Sequence, residues 1–416
     1  MKSSATPYSN RVSLARQELA AHVCPNCRKT GLLVFYEIDA IPVHSCLLIS
    51  DRDEARTFPT GQLQLGLCEE CGFITNTSFD PGVHDYSARY EETQGFSGRF
   101  RTFSRDLCMR LIDQYNIREK RILEIGCGKG EFLVELCALG HNAGIGIDPA
   151  YVPERNPAAA NSSVTFIQDF YSEKYAHFEA DVICCRHTLE HIADTYRFLE
   201  TIRNAVSDRT QTLLVFEVPD TIRVLREGAF WDVYYEHCSY FTPASLARLF
   251  RATGFETSQL NLVFDDQYIV ITAHPGTGSE GHASSERDDV AMLRYAVDEF
   301  AKACQAGLTY WNGVIERAGA DGRRIVAWGS GSKAVAFLTT LGGGGAIEYV
   351  VDINPYKHGK FLPCTGQEIV SPEFLQQYRP DQIVVMNPIY CDEIQQDLTR
   401  LGLTAELLPV TSFVDT

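Results

Sequence analysis

The chain has 416 residues, 45% of them hydrophobic and 22% charged, which is enough apolar length for two or three cored domains of ~100–200 residues each. Its 54 acidic and 37 basic side chains leave a net charge of −17, a field that repels a phosphate backbone. No basic patch offsets it, so nucleic acid is disfavoured as a substrate. No run approaches the ~18 uninterrupted apolar residues of a membrane span, and residues 1–10 lack the apolar centre of an export signal. The fourteen cysteines therefore read as free thiols plus one metal site in a reducing cytoplasm; Cys184, Cys185 and Cys304 lie inside apolar segments.

Residues 1–20 read as a polar lead-in that forms a short helix. Residues 21–82 form a module with two Cys-x2-Cys knuckles, Cys24-Pro25-Asn26-Cys27 and Cys68-Glu69-Glu70-Cys71, separated by short strand-like apolar runs. Each knuckle presents two thiolates to one tetrahedral ion. Four thiolates (Cys24, Cys27, Cys68 and Cys71) close the shell and leave no open position for water, so a structural Zn2+ is expected. A redox Cys-x2-Cys motif is not normally doubled. His44 and Cys46, between the knuckles, read as packing residues.

From 83 to 275, β-rich apolar runs alternate with helical patterns, the signature of a parallel α/β sheet. Strands are predicted at 121–125, 143–147, 182–185 and 213–218. The first ends in Leu123-Glu124-Ile125-Gly126-Cys127-Gly128-Lys129-Gly130, an acidic residue and a glycine turn leading into a helix. Glycines let the backbone approach a ligand where a Cβ would clash. The Glu-x-Gly-x-Gly-x-Gly order suits a ligand with an ammonium group and no phosphate, Glu124 facing the cation. Asp148, ending the second strand beside Pro149, suits the two hydroxyls of a ribose. Asp169 and Phe170 suit an adenine amino group and ring, and His187 opens the segment Thr188-Leu189-Glu190-His191. A NAD-binding fold, the competing reading, would favour Gly-x-Gly-x-x-Gly.

Residues 275–288, rich in Gly, Ser and charge, read as a linker, and 276–320 as that linker plus a long amphipathic helix. Val290, Leu293, Val297, Phe300, Cys304, Leu308, Trp311 and Ile315 recur there at steps of three and four. Residues 321–416 form a second, smaller α/β unit with strands at 324–328, 347–351 and 382–385. Its first turn, Gly329-Ser330-Gly331-Ser332-Lys333, could grip a phosphate through its amides and Lys333, or serve packing only.

The stations at Glu124–Gly130, Asp148, Asp169 and His187–His191 resemble the class I S-adenosylmethionine-dependent methyltransferases. The resemblance implies a Rossmann-like core in which Tyr86, Tyr90, Glu124, Gly126, Cys127, Gly128, Asp148, Pro149, Asp169, Phe170 and His187 border the cofactor. The segment Tyr234-Tyr235-Glu236-His237-Cys238-Ser239-Tyr240-Phe241 is similar to the Tyr-x-Glu-His-x-Ser-Tyr-Phe stretch of the zinc-containing sugar C-methyltransferases. Those proteins join a four-cysteine module, a methyltransferase core and a C-terminal C-methyltransferase domain, the order seen here. That family implies His237 as the base next to a ketone, Tyr234 as hydrogen-bond partner of the substrate oxygen, and Glu236 as an orienting group. The chemistry agrees, since carbon becomes nucleophilic only after an α-proton leaves. His191 either lines the pocket or packs a helix N-terminus. Tyr86 and Tyr90 either close the site or pack. The family's C-terminal domain implies a substrate role for Gly329, Ser330, Ser332, Lys333 and Asn387 toward a nucleotide-linked sugar. Residues 90–100 depart from the aromatic-rich pattern of the sugar enzymes, so O-, N- or C-methylation of another small secondary-metabolite acceptor is the alternative. The expectation is a cytoplasmic monomer or homodimer that binds neither nucleic acid nor membrane.

Overall fold

The chain begins with an antiparallel sheet in the computed structural model, which describes residues 12–13, 16–83, 86–156, 163–276 and 286–411. Its strands are β1 (Val12–Ser13), β2 (Gln17–Val23), β3 (Thr30–Pro42), β4 (Thr60–Leu67) and β5 (Ile74–Asn76). β3 pairs with β1, β2 and β4, and β4 pairs with β5. The helix expected within residues 1–20 is not there among the described residues: Val12–Ser13 and Gln17–Val23 are edge strands. A lone polar turn of helix is marginal in water, whereas the thirteen-residue β3 offers an open row of backbone donors and acceptors that these residues fill.

The central sheet follows with β6 (Arg121–Ile125), β7 (Ala143–Ile147), β8 (Val164–Ile167), β9 (Val182–Arg186) and β10 (Leu213–Pro219). Next, β11 (Ser239–Tyr240) leaves to pair with β5, stitching this domain to the N-terminal sheet. β12 (Phe255–Val263) and β13 (Tyr268–Pro275) return to the central sheet. Its order is β12-β13-β10-β9-β6-β7-β8, with β13 antiparallel to both neighbours and the remaining pairs parallel. An all-parallel dinucleotide sheet has no such inserted strand, and the NAD-binding reading falls on this point. β6 lies between β7 and β9, so the crevice at its C-terminal end is where an open α/β sheet binds ligands.

The predicted amphipathic helix is Glu286–Ala320. Leu293, Val297, Phe300, Cys304, Leu308, Trp311 and Ile315 are buried along one stripe, while Met292 and Tyr295 face solvent. Burying Phe300 and Trp311 contributes roughly 2–3 kcal/mol each, so packing rather than propensity holds the helix in place. Residues 277–285, most of the expected linker, lie outside the described residues. Beyond the helix come β14 (Ile325–Trp328), β15 (Ile347–Val351), β16 (Glu368–Val370), β17 (Gln382–Val385) and β18 (Glu406–Pro409), a parallel sheet in the order β16-β15-β14-β17-β18.

One hydrophobic core joins the parts. Phe35, Tyr36 and Ile38 of β3, Phe300 and Trp311 of the long helix, Phe230 and Trp231 of the central domain, and Phe337 and Leu338 of the C-terminal domain pack together. The architecture is thus α/β: a Rossmann-like core with a four-cysteine sheet before it and a smaller Rossmann-like domain after it. No described helix is long and apolar enough to cross a membrane.

Candidate active site

Each Cys-x2-Cys knuckle is the turn of a hairpin, the first between β2 and β3 and the second between β4 and β5. The residue after each second cysteine takes a left-handed conformation, Arg28 at φ 64° and Gly72 at φ 70°. The turns close alike, with Arg28 N donating to Cys24 O (2.9 Å) and Gly72 N to Cys68 O (2.8 Å). Four sulfurs converge as a result: Cys24 Sγ lies 3.8 Å from Cys71 Sγ, and Cys27 Sγ 3.7 Å from Cys68 Sγ. A tetrahedron with Zn–S bonds of ~2.3 Å has edges of ~3.8 Å, so the donor set fits a closed zinc site.

At the end of β6, Gly126 (φ 69°) and Gly128 (φ 52°) leave no room for side chains. A Cβ on Gly126 would stand 2.0 Å from Thr188 Oγ1, and one on Gly128 would stand 2.6 Å from Glu92 Oε1. Asp148 fixes this turn, one carboxylate oxygen accepting from Gly128 N (2.8 Å) and the other from Ala150 N (2.7 Å). Lys129, buried, donates to Tyr90 O (2.8 Å) and Ala150 O (2.7 Å), which ties residues 86–92 over the turn. Glu124 is 2% exposed, and its Oε2 has no hydrogen-bond partner. Burial, resisted by Arg186, pushes its carboxyl up to about 8. Backbone held too close for side chains beside a buried carboxyl with one unpartnered oxygen fits an S-adenosylmethionine with its positive end at Glu124.

A single cavity of about 570 Å³ opens from this turn and runs to the C-terminal domain. Within reach of the turn it is lined by Glu124, Gly126, Cys127, Gly128, Asp148, Pro149, Tyr86, Tyr90 and His187, with Asp169 and Phe170 at the same side. Phe170 is 60% exposed. Asp169 accepts from Tyr175 Oη (2.6 Å) and pairs with Lys174. Farther along stand His191, His237 and Tyr234, then Gly329, Ser332, Lys333 and Asn387.

The buried charges along the wall are paired. His187 contacts Glu217 Oε1 (3.1 Å) and Glu190 Oε1 (3.7 Å). Burial works against its protonation, but the two carboxylates outweigh burial and lift it to about 9, so it is an imidazolium at neutral pH. Arg186 Nε lies 2.6 Å from Glu217 Oε2. Against burial, Arg186 and His187 hold Glu217 down to about 2. His237 differs. Burial and the neighbouring His191 pull it down to about 3, and its ring packs against Tyr234 (4.3 Å between centroids) and His191 (4.7 Å). Burial first, then Asp232, raises the Tyr234 phenol well above its ordinary value.

Two expected site residues do not line the cavity. Glu236 is fully buried on the far side of its peptide, where it meets His44 Nδ1 (3.1 Å), Ser45 N (3.2 Å) and Ser332 Oγ (3.4 Å). It therefore binds the four-cysteine module, the core and the C-terminal domain together. Burial alone would raise its carboxyl; the His44 hydrogen bond brings it down to about 2. Ser330 turns inward, its N (2.9 Å) and Oγ (2.6 Å) both donating to Asp352 Oδ2. His44, read as a packing residue, is the partner of a buried carboxylate across the site.

Sequence reasoning also missed Glu92, Arg186, Asp352 and Lys357, which line the cavity. Asp352 had a signal: it ends β15 as Asp148 ends β7, and each carboxylate accepts from an amide in the turn after its neighbouring strand. Lys333 pairs with Asp232, so its charge is already compensated within the wall.

Comparison with known proteins gives two family matches in tandem. Residues 97–260 match a methyltransferase domain, and residues 284–404 match a C-methyltransferase C-terminal domain. The chain is 24% identical over 366 residues to the C-methyltransferase NovU of Streptomyces niveus, a match spanning 83% of this chain and 85% of that protein. It is 29% identical over 113 residues to a ribosomal protein L11 methyltransferase of Pasteurella multocida, covering 26% of this chain and 34% of the relative. Among solved structures, the N,N-8-amino-8-demethyl-D-riboflavin dimethyltransferase of Streptomyces davawensis aligns with a TM-score of 0.35 and 22% identity over 42% of this chain and 54% of that one.

Proposed function

Because the chain is an S-adenosylmethionine-dependent methyltransferase whose cofactor domain is followed by a C-methyltransferase C-terminal domain, we propose that it methylates the carbon next to a ketone in a nucleotide-linked deoxysugar, with His237 as the base. The observation that carries this reading is the unbroken cavity from Glu124 and Asp148, past His237 and Tyr234, to Ser332 and Lys333. An acceptor seated against the C-terminal domain would present its ketone to the His237–Tyr234 pair with its far end at the Gly329 turn. The likeness to a relative named as a C-methyltransferase supports the same acceptor atom.

S-adenosylmethionine, when bound, supplies an electrophilic methyl group on a sulfonium. Glu124 would hold its ammonium, Asp148 its ribose, and Asp169 with Phe170 its adenine. A carbon acceptor must first lose its α-proton. In the free protein burial and His191 keep His237 unprotonated, and the enolate charge that develops beside it would raise its basicity as the proton moves. Tyr234 keeps its phenolic proton and donates it as a hydrogen bond to the oxygen on which enolate charge develops. Glu236 acts at one remove, fixing the 234–237 peptide against His44 and Ser332.

Isotope exchange tests the proposal. In heavy water without cofactor, the enzyme is expected to wash the α-proton out of a keto-sugar nucleotide. A panel of such sugars in which none exchanges would remove the acceptor assignment.

Glu124 gives the cofactor site a pH signature. Its carboxyl is neutral below about 8 in the free protein, because burial raises it, and a bound ammonium favours the charged form. Binding therefore releases a proton below that pH. The affinity for S-adenosylhomocysteine is expected to tighten by up to ~10-fold per pH unit on rising toward 8 and to level off above it. Calorimetry across that range reads the slope, and Glu124→Gln should flatten it; an unchanged slope in the variant would assign the proton elsewhere.

A further inference from the structure

We propose that Glu190, His191 and His237 form a second metal site in the middle of the cavity, which takes one divalent transition-metal ion such as Zn2+ and thereby shuts the enzyme off reversibly. One carboxylate oxygen and one ring nitrogen from each histidine lie within 4.8 Å of one another. Bonds of ~2.0–2.2 Å need donors roughly 3.4 Å apart, so the three groups close on an ion by small side-chain rotations. Two nitrogens and one oxygen select Zn2+, Co2+ or Ni2+ over Mg2+ and Ca2+, which favour all-oxygen shells.

Each donor is free for the task. Glu190 is 2% exposed, and its Oε2 has no hydrogen-bond partner, while Oε1 faces His187. His191 Nδ1 lies 3.1 Å from the Glu236 carbonyl oxygen, an acceptor only; in the tautomer that donates to it, the Nε2 lone pair is open. The Tyr86 hydroxyl, 2.9 Å from the same Nδ1, holds the ring in that orientation. The ring of His237 makes no hydrogen bond among the described residues. All three line the cavity. The step is simple coordination: the lone pair His237 would give to a proton goes to the ion instead. The binding claim stands on these donors alone; the inhibition claim rests on His237 being the base.

The test is total zinc per chain after dialysis of the intact protein against zinc-buffered solutions, read beside turnover. Wild type is expected to gain one equivalent over its four-cysteine baseline at micromolar free zinc, losing at least ~10-fold in rate. Activity should return with a chelator that leaves the baseline ion in place. Glu190→Gln and His191→Gln, each checked for native circular dichroism, should keep the baseline and lose the added equivalent. No added equivalent in wild type, an added equivalent that persists in both variants, or binding without inhibition would each overturn the proposal. Failure of the base assignment shows separately, as α-proton exchange that survives His237→Ala.

Discussion

Replacing His237 with alanine is expected to abolish α-proton exchange and to cut methyl transfer by ~10²–10⁴-fold, the span a positioned general base contributes, while cofactor affinity stays within about twofold. The two effects separate because His237 stands beyond the Gly126–Gly128 turn and touches Tyr234 and His191 rather than the groups around Asp148. Truncation leaves no buried hydrogen-bond partner stranded, so loss of activity would not come from misfolding. The pH profile sharpens the test. An active base must be neutral, and burial lowers the His237 pKa to about 3, far below an ordinary histidine. Its base form therefore persists in the free protein through the range where a free histidine would protonate, and kcat/KM should show no acid limb from His237 near pH 6.5. A His237→Ala enzyme that still exchanges the α-proton would pass the role to another group.

Loss of one of the four converging thiolates is expected to have the largest effect on stability. Metal binding to four cysteines is folding free energy, ~10–16 kcal/mol in small zinc modules, and here the module is not a separate bead. Cys24, Cys68 and Cys71 pack with Phe73, Phe241 and Leu246 on one face of the central domain. β3 and β4 carry Phe35, Tyr36 and Leu65 into the core shared with the long helix and the C-terminal domain. Cys68→Ser should therefore remove the ion and lower the melting temperature of the whole chain. It should also expose the His44–Glu236 contact that braces the 234–237 peptide. Metal analysis with a thermal scan reads both changes. A Cys68→Ser chain with wild-type zinc content and melting temperature would show that the four sulfurs do not hold the ion.

Sequence and structure agree where chemistry is local. The strands at 121–125, 143–147, 347–351 and 382–385 form as predicted, because each is a short β-branched or apolar run ended by an acid, glycine or asparagine that stops it. Glu124, the three glycines and Asp148 meet because one strand–turn–helix unit places them, and Asp148 needs only the adjacent parallel strand. The buried stripe of Glu286–Ala320 was likewise written in its steps of three and four. Within the lead-in, Gln17–Val23 was not legible as a strand, since it has no strong pattern of its own and becomes one only by docking on β3.

What the sequence determined by itself was the cofactor turn, the two Cys-x2-Cys knuckles and the identity of the Tyr234–Glu236–His237 segment, each of which depends on spacing within a short local unit. Only the tertiary structure decided which way that segment faces. The chain turns at 235–236, closed by His237 N donating to Tyr234 O (3.3 Å), so that His237 and Tyr234 line the cavity while Glu236 meets His44, 192 residues away. It also decided that Ser330 turns to Asp352 and that Glu190, His191 and His237 converge. Long-range burial sets these partners, because a carboxylate removed from water must find its counterpart wherever the packed chain supplies one.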